Sequence, residues 1–332
     1  MDAWVVDRPG PIDDHPLLRL ERPEPEPAPR QIRVQVRCCG VCRTDLHLAE
    51  GDLPPRRRGV TPGHEIVGVV DELGSEARRF ALGDRVGVAW LGRTDGTCRF
   101  CRGGQENLCL SPTFTGWDVD GGYAESCVVD EAFAYRLPDD LGDEAAAPLL
   151  CAGIIGYRAL LRAEVPPGGR LGIYGFGGSA HLTAQLALAQ GLRVHVLTRG
   201  EQNRALAREL GVDSVGGPTA SPPEPLDGAI MFAPAGELVP AALRALDRGG
   251  TLAMAGIWSS DIPTLDYAET LFQERRLVSV TANTRSDGET FLALAGRLGV
   301  RATTVAYAMA DASRALGDLK HGRFAGAAVL HA

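Results

Sequence analysis

Cysteine, histidine and acidic side chains fall in this chain into two sets whose spacing suits a metal ion. In the first, GVCRTDLH places Cys42, Thr44, Asp45 and His47 within six residues, GHE sets His64 beside Glu65, and LLCAG adds Cys151. Two thiolates and one imidazole make a three-ligand zinc site with an open fourth position, the arrangement a catalytic metal needs. Zn²⁺ with two thiolates is formally neutral, 2 − 2 = 0, so it can take an alcohol or carbonyl oxygen and act as a Lewis acid. In the second set, residues 94–109 read TDGTCRFCRGGQENLC. Cys98, Cys101 and Cys109 have the short spacing of a zinc knuckle, but a closed tetrahedral site needs four ligands and only three thiols are present.

A third set suits a nucleotide. Gly175-Phe-Gly177-Gly178-Ser179-Ala180 follows the apolar run LGIY and opens a helical pattern, the context a dinucleotide fingerprint requires. Gly175 permits the tight turn, Gly177 lets the backbone approach a pyrophosphate, and the helix N-terminus stabilises its charge. Ala180 stands where a third glycine usually allows close helix-to-strand packing. Enzymes that read a free ribose 2′-hydroxyl carry an acid at the end of the next strand; here Thr198 and Arg199 follow RVHVL. A neutral hydroxyl beside a guanidinium suits a 2′-phosphate, so NADP(H) is expected over NAD(H). An arginine stacked on the adenine of NAD is the alternative.

Two kinds of architecture are needed to position these groups. From Ile32 to Asp130 short β-branched runs punctuated by glycine read as an irregular, mostly antiparallel β domain with the cysteines and histidines on its loops. After Pro148 short apolar strands alternate with helical stretches, the signature of a doubly wound parallel sheet. The helix expected from about Gly178 to Gln190 is apolar nearly all round, as one pressed between sheet and neighbour should be. Past Asp287, one helix and the segments TTVAYAM, ADASRALGDLK and GAAVLHA could extend that sheet or return to the first domain. The proline-rich stretches near residues 22 and 216 read as loops.

The 332 residues, 45% apolar and 23% charged, fit a globular protein of two domains. A net charge of −8 offers no electrostatic footprint for nucleic acid or an anionic membrane. The lone basic run, Arg56 to Arg58, reads as a solvated loop. The longest apolar segment, Ala145 to Tyr157, is too short and too broken to span a bilayer. MDAWVVDRPG lacks the pattern of an export signal, so a cytoplasmic location is expected and the eight cysteines should stay reduced, free for metal ligation. Cys38, Cys39 and Cys127 read as inert core, and His15, His181, His195, His321 and His331 as surface or packing residues.

Together the cysteine-rich first part, C-x-T-D-x-H, GHE, the glycine fingerprint and the late DGETFLAL and GAAVL segments resemble the zinc-dependent medium-chain alcohol dehydrogenases along nearly the whole chain. The resemblance implies an α/β fold: a GroES-like β-rich catalytic domain, 1–148 and 287–332, with a structural zinc lobe at about 91–112, and a Rossmann dinucleotide-binding domain inserted at 149–286. It implies Cys42, His64 and Cys151 as catalytic zinc ligands, with Glu65 as the carboxylate able to approach the metal. Asp45 resembles the acid that fixes the His64 ring, Thr44 the hydroxyl bonded to the reacting alcohol oxygen, and His47 the outer end of the proton relay. Arg43 matches a basic residue against the cofactor pyrophosphate, and Trp90 and Leu53 fall where the family lines its substrate pocket.

Relatives with a structural zinc lobe carry C-x2-C-x2-C-x7-C around an ENLC segment, and Cys98, Cys101 and Cys109 match the last three positions. Three residues before Cys98 stands Asp95, a carboxylate able to ligate zinc and the expected fourth ligand; a metal-free, decaying site is the alternative. The implied activity is reversible hydride transfer between a primary alcohol and the nicotinamide cofactor, with aldehyde reduction as the working direction if NADPH is used. A secondary-alcohol or polyol dehydrogenase is the alternative on the same scaffold, and a non-catalytic nucleotide- and zinc-binding protein the alternative of another class. A small-molecule alcohol or aldehyde is the expected partner. Homo-oligomers are common among relatives, and RRLVSVTAN is a candidate interface strand.

Overall fold

The computed structural model describes residues Met1 to Ala332. The chain forms two compact units. The first comprises Met1–Cys151, Ala282–Gly296 and Arg301–Ala332, the second Ala152–Thr281 and Arg297–Val300. The junctions expected at 148/149 and 286/287 thus fall at Cys151/Ala152 and Thr281/Ala282.

In the first unit, strand Gln31–Val41 is the organising element. Its first half alternates, with Ile32, Val34 and Val36 inward, and from Cys38 to Val41 both faces are covered. It pairs antiparallel with Ile66–Leu73, Ser126–Asp130 and the C-terminal Ala327–His331. Arg85–Val88 and Ala134–Arg136 continue the sheet on one side, and Thr304–Ala308, parallel to Ala327–His331, completes it on the other. The C-terminal tail, whose place periodicity left open, therefore belongs to this first sheet. Cys38, Cys39 and Cys127 lie in this core, where burial pushes the Cys38 and Cys127 thiols up to about 12.

In the second unit six parallel strands stand in the order 214–216, 193–197, 170–174, 226–231, 246–254, 276–279. Numbered along the chain this is 3-2-1-4-5-6, the doubly wound order whose direction reverses between the first and fourth strands. The apolar helix runs Gly178–Ala189 with Ala180, Leu182, Ala184, Leu186 and Ala187 buried. Helix Ala152–Ala163 packs on it so closely that a Cβ on Gly156 would lie 2.2 Å from Oγ1 of Thr183. No single helix is long and apolar enough to cross a membrane.

Each arginine of the 56–58 run meets a carboxylate: Arg56 with Asp118 at 2.7 Å, Arg57 with Asp120, and Arg58 with Asp7 at 3.1 Å. A run whose charge is matched residue by residue offers no basic patch to a polyanion.

Candidate active site and metal centres

Antiparallel register brings the first metal set together. Cys39 pairs with Ile66, and the Gly40 N–H donates to the Glu65 carbonyl at 2.9 Å. The residues just beyond each strand, Cys42 on one and His64 on the other, therefore meet. Cys42 is the N-cap of helix Arg43–Glu50, and Asp45 in its first turn accepts the Cys42 N–H at 2.9 Å. Cys151 follows the turn Ala147–Leu150, whose Leu150 packs against Gly87 of the sheet so closely that a Cβ on that glycine would lie 2.6 Å from a Leu150 methyl.

Sulfur, nitrogen and carboxylate oxygen of Cys42, His64, Glu65 and Cys151 all lie within 4.8 Å of one another. The two sulfurs are 3.8 Å apart, the edge of a tetrahedron with Zn–S bonds of ~2.3 Å being about 3.8 Å. His64 is 1% exposed and its Nε2 has no hydrogen-bond partner. A buried, orphaned imidazole nitrogen beside two thiols is a donor set that fits a metal ion.

Asp45 holds the set in place. It is 1% exposed; Oδ1 accepts the Gly63 N–H at 2.9 Å and stands 3.3 Å from His64 Nδ1, and Oδ2 also takes the Tyr123 hydroxyl at 3.3 Å. Burial pulls the His64 imidazole down, but Asp45 and the Cys42 sulfur outweigh it and hold its pKa well above the ordinary value. The Cys151 thiol, donating to Cys42, holds that thiol well below its usual range, with His64 adding to the effect. Burial pushes the Glu65 carboxyl well up, and the neighbouring Cys42 sulfur pushes the same way.

Two glycines make room. Gly63 has φ +99, and a Cβ there would lie 2.5 Å from the Tyr123 ring. A Cβ on Gly40 would lie 1.8 Å from Oε2 of Glu65. Gly40, Tyr123 and Asp52 carry no local sequence signal and were not among the expected site residues. Asp52 stands 3.0 Å from His47 Nδ1. On helix Arg43–Glu50, Thr44 is buried with its hydroxyl 3.7 Å from the Cys42 sulfur, His47 lies one turn on, and Arg43 is exposed.

The second metal set is local. Asp95 Oδ1 accepts the N–H groups of Thr97 and Cys98, both at 2.8 Å, and these bonds hold its carboxyl well below the usual carboxylate range. Cys98 caps helix Arg99–Arg102, which returns Cys101 to within 3.6 Å of it, and the turn Glu106–Leu108 delivers Cys109. The ligand atoms of Asp95, Cys98, Cys101 and Cys109 lie within 4.8 Å of one another. Glu106 is tied to Arg285 by its backbone N–H at 2.7 Å and by its guanidinium, also at 2.7 Å.

At the nucleotide fingerprint Gly175 has φ +84, its N–H donates to Leu197 O at 2.9 Å, and a Cβ would lie 2.8 Å from the Ala233 nitrogen. The turn thus sits where strand order reverses. Gly177 is the N-cap of helix Gly178–Ala189 with open space around its Cα, Gly178 and Ser179 form the helix's first turn, and Ala180 is fully buried against the sheet. Thr198 is 3% exposed, and its hydroxyl donates to the Arg199 carbonyl at 3.3 Å. The Arg199 side chain is exposed, and Arg204, which sequence spacing did not single out, donates to Thr198 O at 3.2 Å.

Family models for the "Alcohol dehydrogenase GroES-like domain" and the "Zinc-binding dehydrogenase" match residues 28–139 and 178–297. A Mycobacterium tuberculosis protein named "Probable alcohol dehydrogenase AdhA" is 58% identical over 99% of this chain and 97% of its own length. The chain belongs to the zinc-dependent medium-chain alcohol dehydrogenases. A cinnamyl alcohol dehydrogenase from Sorghum bicolor superposes with a TM-score of 0.90 at 28% identity, over 99% of this chain and 97% of that one. A Helicobacter pylori protein named CAD, solved in complex with NADP(H), gives 0.89 at 25% identity over 99% and 97%. GroES-like and Rossmann-type folds account for the two units of this alcohol dehydrogenase.

Proposed function

We propose that this alcohol dehydrogenase interconverts primary alcohols and aldehydes with NADP(H), working mainly as an aldehyde reductase. The convergence of Cys42, His64 and Cys151 around an orphaned imidazole nitrogen carries the reading. Those three residues would hold a catalytic zinc, with Glu65 able to take the fourth position. When bound, zinc supplies Lewis acidity toward the substrate oxygen and the nicotinamide ring supplies or accepts the hydride.

The chain's own groups do the rest. Asp45 orients His64 and, through the Cys42 and Gly63 N–H groups, fixes both ligand-bearing loops before substrate arrives. Thr44, buried beside Cys42, would hydrogen-bond the reacting oxygen and exchange its proton. His47, held by Asp52 and partly exposed, is the outward proton acceptor on the same helix. Arg43 is exposed one residue from Cys42, available to a pyrophosphate.

For the cofactor, Gly175 to Ala180 form the pyrophosphate turn, and the exposed Arg199 with Arg204 nearby supports a 2′-phosphate partner after Thr198. Asp95, Cys98, Cys101 and Cys109 would close around a structural zinc. A homo-oligomer is supported by the free edge of strand Arg276–Ser279 and by the exposed Ile257, Trp258, Tyr267 and Phe272 in the same unit.

Steady-state reduction of a small aldehyde panel by zinc-loaded protein, with NADPH and NADH side by side, tests the reading. Turnover favouring NADPH, with that preference falling in Arg199→Ala, is expected. Preference for NADH discards the cofactor assignment; no turnover from folded, metal-loaded protein discards the reaction.

A further inference from the structure

Helix Arg43–Glu50 carries both Thr44 and His47, so whatever fixes its two ends fixes those side chains. Asp45 holds the first end through the Cys42 N–H. The last end closes on His47 itself. Its carbonyl accepts the N–H groups of Gly51 and Leu53, both at 3.0 Å, and Gly51 takes φ +89 to make the turn. Glu50 is the last helical residue, where its negative charge opposes the dipole of its own helix.

A second helix answers that charge. Ala312–His321 buries Ala312, Ala315 and Leu316, and its last turn brings the Lys320 ammonium onto Oε1 of Glu50. The same oxygen accepts the Ile12 N–H at 3.0 Å, from the turn Ile12–Asp14. On that turn Asp13 stands 2.9 Å from His321 Nε2. The hydrogen bond to Glu50 holds the Lys320 pKa above its ordinary value, and the charges of Asp13 and Asp52 add to it. Asp52 is the carboxylate that stands 3.0 Å from His47 Nδ1. Three carboxylates thus share one ammonium at the end of the helix. Without it Glu50, partly buried, would keep only the Ile12 N–H against its helix dipole, and Asp52 would lose a counter-charge.

Of 34 basic side chains only Lys320 is a lysine. A compact ammonium can be approached by carboxylates from several sides, where a planar guanidinium fork favours one carboxylate in its own plane. We propose that Lys320 is a positioning residue: by clamping Glu50 and countering Asp52 it holds the end of the helix, and with it the His47 ring, in line for the outgoing proton. The proposal rests on the reading of His47 as the outward proton acceptor.

A double-mutant cycle in alcohol oxidation by zinc-loaded enzyme tests it. Lys320→Met, similar in length and uncharged, is expected to lower kcat by roughly threefold to tenfold, part of the hundredfold or more that a general base supplies. KM and zinc content should stay nearly unchanged. In the His47→Ala background the same change should cost about twofold or less, because the ring it acts through is gone. Lys320→Arg keeps the charge and should recover most of kcat. Glu50→Gln, expected to follow the same pattern, is the second variant should Lys320→Met not fold. The His47 ring signals in proton–nitrogen NMR spectra, identified by their loss in His47→Ala, read the ring's position without turnover. They should move in Lys320→Met and stay close to their places in Lys320→Arg. An equal loss of kcat in both backgrounds, or unmoved His47 signals in well-folded Lys320→Met, overturns the proposal. Unchanged turnover in His47→Ala, with the ring signals still moved by Lys320→Met, removes the proton path proposed above and leaves the clamp on His47 standing.

Discussion

The two four-residue metal sets share chemistry and differ in how the chain builds them. Asp95, Cys98, Cys101 and Cys109 lie within fifteen residues and are shaped by one Asx turn, one helical turn and one further turn. Cys42, His64, Glu65 and Cys151 come from three segments, and their meeting depends on sheet register, on Asp45 and on two glycines that admit close neighbours. A local set can close around its metal with little help from the rest of the fold. The assembled set is held in place by surrounding structure, which suits a centre that must keep one position open.

Removing a ligand should break the comparison most sharply. His64→Ala is expected to lower turnover by about a thousandfold or more, because the Lewis acid is worth several kcal/mol. Metal analysis should show one zinc per chain lost while the lobe keeps its own. Turnover within tenfold of the intact enzyme would mean that the assembled set is not the catalytic centre.

Asp45 carries the next effect. It is almost fully buried and binds Cys42, Gly63, His64 and Tyr123 together. Asp45→Asn keeps the size and changes one acceptor into a donor, so a loss of ten- to a hundredfold in zinc affinity or activity is expected. Zinc titration against a competing chelator separates that from a direct chemical role, since a residue acting only in chemistry would leave affinity unmoved.

Asp95→Ala tests the opposite arm. The lobe should lose its zinc and the melting temperature should fall by several degrees, while turnover per folded chain changes far less than in His64→Ala. Equal zinc content in variant and intact protein would show that the carboxylate is not a ligand.

How much of this is legible in the sequence follows the same division. The lobe can be read by counting residues, since its geometry is local. The fingerprint turn is legible because Gly175 needs a positive φ where an apolar strand meets a helix. The residue types at Cys42, His64 and Cys151 are legible as candidate metal donors, and the doubly wound alternation as a fold. The Cys39 to Ile66 register that brings two of those residues together is not, because neither strand names its partner elsewhere in the chain. Gly40 shows the limit. Nothing near it in sequence distinguishes it from a turn glycine, yet its missing side chain is what Glu65 occupies.

Glu106 offers the smallest effect and the finest test of the lobe's independence. Its carboxylate takes both the backbone N–H and the guanidinium of Arg285, and that guanidinium packs 4.6 Å from the Phe133 ring. Burial pushes the Glu106 carboxyl up, but the hydrogen bonds and charge of Arg285 outweigh it, and the folded value lies below the ordinary 4.5. A carboxyl depressed in the folded state stabilises the fold above its unfolded pKa and loses that contribution as pH falls through the folded value. Glu106→Gln should therefore lower the unfolding free energy by about 2 kcal/mol at neutral pH. The gap between the two proteins should narrow as pH falls below the ordinary 4.5 and close once it passes the depressed folded value, where the native carboxyl is itself protonated. Urea midpoints across that range decide it: a gap that stays constant with pH would mean that the pair acts through packing alone, and that the lobe owes its place in the unit to its own turns and metal.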